Sequence, residues 1–80
     1  MPKLKNLSGS DFVKILESFG FVVFSQRGSH IKLKRTIGDI KQTLTIPLHK
    51  ELDKGTLKAI FNQALRYILE SDLRKHFYSD

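Results

Sequence analysis

Apolar residues at Phe12, Ile15, Leu16 and Phe19 recur three and four positions apart, the spacing that lines them along one side of a helix. Ser8 stands ahead of them as a cap, Asp11 can reach back to it, Leu7 can pack on Phe12 as a staple, and Gly20 offers the positive φ that ends a helix cheaply. These signals predict a first helix over residues 8–19. The period then shortens to two. Residues 21–27 are dense in β-branched and aromatic side chains, and Gly28-Ser29 is a two-residue loop with glycine first, as a type II′ hairpin turn prefers. That turn sets Arg27 opposite His30, Ser25 opposite Lys32 and Phe24 opposite Leu33. Val22, Phe24, Ile31 and Leu33 then point to one side of the sheet, and Ser25, Arg27, His30, Lys32 and Lys34 to the other. Phe21 and Val23 fall on the polar side by parity, so that end of the sheet is expected to be covered by the C-terminal tail or by a partner.

Residues 37–40 read as a connecting loop, and residues 42–46 alternate again, Leu44 and Ile46 inward, Thr43 and Thr45 outward, until Pro47 closes the strand. Asp53 offers a cap to a second helix over residues 54–69, whose stripe is Leu57, Ile60, Phe61, Ala64, Leu65 and Ile68. Residues 71–77 are either a short further helix capped by Ser71 or a frayed end with few apolar anchors. The expected architecture is α+β: helix, three antiparallel strands, helix, with both helices on one face of the sheet and the other face open. Residues 1–80 form one domain, with a core over about 7–69 and a tail or short extra helix over 70–80.

Composition sharpens this picture. Cysteine is absent, so neither a disulfide nor a thiolate metal site can staple the fold, and the apolar core must hold it. No apolar run approaches the roughly 20 residues of a membrane span, and residues 1–10 lack the apolar middle of a secretory signal; the expected location is the cytoplasm, with no membrane partner. The net charge is +6, and residues 27–41 alone hold Arg27, Lys32, Lys34, Arg35 and Lys41 against Asp39. Charge so concentrated suggests a polyanionic partner, nucleic acid first of all, over a merely solvated surface. Burying His30, Lys32 and Lys34 without carboxylates would cost several kcal/mol, so their face must be wet or covered by a ligand.

An exposed imidazole among cations suits one chemistry in particular. RNA carries its own nucleophile, the 2′-hydroxyl, so cleavage needs a base for that proton and cations for the charge that develops on phosphorus during in-line attack. An unperturbed histidine, with a pKa of about 6.5, can serve as that base at physiological pH. His30 fits the role, with Lys32 two residues along the strand and Arg27 across the hairpin. Without a catalyst's partners, a lone strand histidine is an ordinary polar residue. His49 is either a neighbour of the site, as a supporting group or general acid, or a loop residue bonded to backbone at the start of the second helix. The three histidines, His30, His49 and His76, lack metal-ligand spacing, and neither a metal nor a cofactor is expected. Lys54-Gly55-Thr56 could hold a phosphate on helix N–H groups or simply begin a helix.

Three stretches, "SGSDFVKILESFGF", "RGSHIKL" and "TIPLHKELDKGTLKAIFNQA", together resemble the HicA-type toxins, small messenger-RNA interferases of prokaryotic toxin–antitoxin pairs. The resemblance implies a fold like the double-stranded RNA-binding domain and ribonuclease activity centred on the histidine after Gly28-Ser29, which is His30. It also implies an mRNA substrate and a HicB-type antitoxin that occludes the site, the toxin being a monomer when free and part of a hetero-oligomer when bound. These toxins commonly carry a glycine after the alanine matching Ala64, where this chain has Leu65. With His30 as general base, Arg27, Ser29, Lys32, Lys34, Arg35 and Lys41 form the expected RNA-binding set. Two other readings use the same residues: a non-catalytic RNA-binding module, and a protein-interaction domain whose charge answers an acidic partner.

Overall fold

The computed structural model describes residues 3–79, so Met1, Pro2 and Asp80, the ends of the expected 1–80 span, lie outside the described residues. The chain runs β1 (Lys3–Leu4), α1 (Gly9–Ser18), β2 (Val22–Arg27), β3 (His30–Ile37), β4 (Ile40–Pro47), α2 (Lys54–Ala64), α3 (Glu70–Phe77) and β5 (Tyr78–Ser79). Strands β2, β3 and β4 form an antiparallel sheet in that order, and the helices bury one face of it, an α+β arrangement of the double-stranded RNA-binding-domain type. Helix α1 begins as its sequence predicts. The Ser8 hydroxyl accepts the Asp11 N–H at 3.0 Å while the Asp11 carboxylate accepts the Ser8 N–H at 3.0 Å, so two otherwise orphaned donors are satisfied reciprocally. It ends at Gly20, whose φ of +93° would strain any other residue.

The hairpin register holds near the turn and changes beyond it. Arg27 pairs with His30 and Ser25 with Lys32, but a β-bulge lies between Val23 and Ser25, so that Val23, not Phe24, stands opposite Leu33. One extra residue reverses the side-chain alternation upstream of it. Val23 therefore turns toward the buried face, while Val22, paired with Lys34, and Phe24, whose ring lies 5.2 Å from Lys34 Nζ, join the open face, contrary to the expected alternation. Phe21 is buried as well, beneath the Arg35 guanidinium and beside the Tyr67 ring, so it is the segment just after the second helix, ahead of the tail over 70–80, that covers it. The link expected over residues 37–40 is only the turn Gly38-Asp39, because Ile37 and Ile40 already pair.

Two expectations for the C-terminal third are corrected. Helix α2 stops at Ala64, five residues short of the expected end, although no glycine stops it. The N–H groups of Arg66 and Tyr67 bond three residues back, to Gln63 and Ala64, and the tightened chain presents the Tyr67 carbonyl to Arg35. The segment after it is neither frayed nor poor in anchors. Helix α3 starts from Leu69 without a side-chain cap, Ser71 lying inside it, and it buries Leu73 and Phe77 completely. The Phe77 ring meets Phe12 at 4.3 Å and Phe61 at 5.1 Å, edge-on in both cases, and thus joins both longer helices in one core. Strand β5 then pairs with β1, bringing the two ends of the chain together. Among the described residues no helix is long and apolar enough to cross a membrane.

Candidate nucleic-acid interface

Strand β3 carries His30, Lys32, Lys34 and Thr36 on its solvent side and Ile31 and Leu33 on its core side, as a period of two demands. The flanking strands add Arg27 and Ser25 from β2 and Thr45 and Thr43 from β4, each directly opposite one of these residues. Gly28, at φ +60°, makes the tight turn that places Arg27 and His30 face to face at the hairpin end. His30, Arg27, Lys32, Ser25 and Thr45 together line an open depression of about 380 Å³. No carboxylate is among its lining residues, so its charge is uncompensated from within. Such a hollow presents an imidazole, two cations and two hydroxyls to one small anion.

The remaining residues of the expected set divide. Ser29 sits in the turn, and its carbonyl accepts the Leu48 N–H, tying the hairpin tip to the end of β4. Lys34 is exposed on the same face one step beyond Lys32, and Lys41 pairs with Thr36, six residues and about 20 Å along the strand from His30. Arg35 faces the other way. Its guanidinium donates to the Gln42 side chain, the Phe19 carbonyl and the Tyr67 carbonyl, each at 2.8 Å, and covers the Phe21 ring at 4.7 Å. It clamps the sheet to the exits of α1 and α2 and is not free to meet a phosphate. His49 lines a different depression, with Ser8, Ser10, Leu48 and Lys50, and its carbonyl accepts the Gly9 N–H, at the start of α1 and not of α2. Thr56, at the start of α2, already gives its N–H and hydroxyl to the Asp53 carboxylate, so that helix end is occupied by its own cap.

Gly9 is a supporting residue that pattern reading overlooked. A Cβ there would run into the Pro47 carbonyl oxygen and stand 2.8 Å from the Leu48 Cα, so α1 can approach the end of β4 only without a side chain at this position. Pro47 in turn pairs with His30. The first turn of α1 thus backs the strand end that carries the histidine. The signal available was a glycine just inside a well-capped helix start, where glycine lowers helix propensity and calls for a packing reason.

A family model described as the HicA toxin of bacterial toxin–antitoxin matches residues 9–65, from the first residue of α1 to the residue after α2. No curated protein and no solved structure matches the chain. The matched span holds the whole three-stranded sheet and both helices behind it, and therefore every residue that lines the His30 depression; α3 and β5 lie beyond it. A match over most of the chain, agreeing with the hairpin, the basic open face and the order of elements, places this protein in the HicA family of toxins from toxin–antitoxin systems.

Proposed function

We propose that this toxin is a metal-independent endoribonuclease that cuts messenger RNA in the cytoplasm, with His30 as the general base. The observation that carries the reading is the shared hollow: His30, Arg27 and Lys32 reach one small volume from adjacent strands. The phosphate of a single-stranded RNA rests between Arg27 and Lys32, while the His30 imidazole takes the proton of the adjacent 2′-hydroxyl. The 2′-oxygen attacks phosphorus in line and the 5′-oxygen leaves, taking a proton from the water that reaches this open site. The products are a 2′,3′-cyclic phosphate and a 5′-hydroxyl. Arg27 and Lys32 stabilise the extra negative charge on the phosphoryl oxygens, and Lys34 and Lys41 hold phosphates further along the strand. A HicB-type antitoxin would silence the toxin by covering this face, and the free toxin would act as a monomer.

Purified protein and its His30→Ala variant, each incubated with a single-stranded RNA in EDTA, test the scheme directly. Cleavage by the parent should persist in the chelator and end in cyclic phosphate, and the variant should be slower by roughly 10²–10⁴-fold, the usual contribution of a general base. Equal cleavage by both proteins rejects His30 as the base, and loss of cleavage on chelation rejects the metal-free route. RNA bound with no cleavage by either protein would make the domain a non-catalytic binding module.

A further inference from the structure

We propose that Phe24 is a stacking platform for an unpaired nucleobase next to the cleavage site, a reading that rests on the proposed binding of single-stranded RNA to this face. Plain strand alternation would have buried Phe24. The bulge between Val23 and Ser25 instead sets its ring on the open face, 44% exposed, where other phenylalanines of the chain such as Phe12, Phe21 and Phe77 are at most 2% exposed. Its surroundings on that face are cationic. Lys34 Nζ lies 5.2 Å from the ring centre, Lys32 is paired with the adjacent Ser25, and Arg27 is three residues, about 10 Å, further along β2. A flat aromatic ring beside phosphate anchors is the combination that grips single-stranded nucleic acid: the ring takes a base of any identity while the cations follow the backbone. The Lys34 side chain is long and flexible, so it can yield the ring to a base and meet the phosphate attached to it. Val22, 60% exposed and paired with Lys34, extends the apolar surface beneath that base.

The chain contains no tryptophan, so Phe24→Trp provides one fluorescent reporter at the proposed platform. In a His30→Ala background, where RNA stays intact, a short single-stranded oligonucleotide should quench that fluorescence, and inorganic polyphosphate, which has charge and no bases, should bind without quenching. By anisotropy, Phe24→Ala and Phe24→Leu should weaken RNA binding roughly 5- to 100-fold and Phe24→Tyr should retain it, all with the salt dependence of the parent, since no phosphate contact is lost. RNA binding that is unchanged in Phe24→Ala, with no quenching in Phe24→Trp, overturns the platform and leaves the ribonuclease reading intact. A His30→Ala parent that binds no RNA at all overturns that reading and the platform with it.

Discussion

Lys34 and Arg35 are adjacent, carry the same charge and do unrelated work. Strand geometry separates them: Lys34 meets solvent over Phe24, and Arg35, one residue on, turns inward to three acceptors and an aromatic ring. Charge alone groups both as RNA ligands, whereas strand parity separates them, since Arg35 shares the side of Leu33. The Arg35 contacts predict its behaviour. Arg35→Ala leaves two carbonyls without a partner and should lower the free energy of unfolding by about 2–3 kcal/mol. Arg35→Lys should recover less than half of that, because one ammonium cannot span acceptors that a planar guanidinium reaches together. Urea unfolding of the two variants checks the order, and RNA affinity per folded molecule should stay at the parent value. A specific loss of RNA affinity would return Arg35 to the binding set.

Among the elements, those with strong local signals are the ones whose ends the sequence predicts. The caps of α1 and α2 show why: Ser8 with Asp11 and Asp53 with Thr56 act across three residues, so nothing distant decides them. Both carboxylates bear on stability at low pH. Hydrogen bonds from Ser8, its backbone N–H first, hold the Asp11 carboxyl below its ordinary value of 3.8, and those from Thr56, its hydroxyl first, hold Asp53 below the same value. Each is therefore more acidic in the folded chain than in the unfolded one. Their contribution is complete above the unfolded value and is lost as pH falls below it through the folded values. Thermal melts between pH 6 and pH 2 should show the midpoint declining in that acid window, and the double variant Asp11→Asn, Asp53→Asn should flatten that part of the decline. An unaltered acid limb would mean that the caps do not contribute to it. Ends without such a local signal depart from the expectation: α2 stops early where Tyr67 answers Arg35, and α3 is secured by Phe77 against Phe12 and Phe61.

For the whole molecule, the consequence of this layering is a division of faces, with the aromatic core behind the sheet and most of the excess charge of residues 27–41 in front of it. Once Arg35 is assigned to the core side, four cations of that segment remain available to phosphates: Arg27, Lys32, Lys34 and Lys41. Each phosphate neutralised on a single strand contributes a log–log salt slope of about −0.7, so a titration of RNA affinity against salt should give a slope of roughly −3. A slope near zero would remove the phosphate contacts from the account, and with them the case for a polyanionic ligand. The amino-acid sequence alone determined the caps of α1 and α2, the turn glycines, the register of the hairpin next to its turn and the clustering of charge on β3, because each depends on residues within a few positions of one another. Only the tertiary structure decided that Phe24 faces outward, which acceptors Arg35 meets, that Gly9 must lack a side chain and that the last helix completes the core. Those outcomes rest on a break in strand period or on contacts such as Arg35 with Tyr67, Gly9 with Pro47 and Phe12 with Phe77, partners brought together by the fold across long stretches of chain that no local periodicity spans.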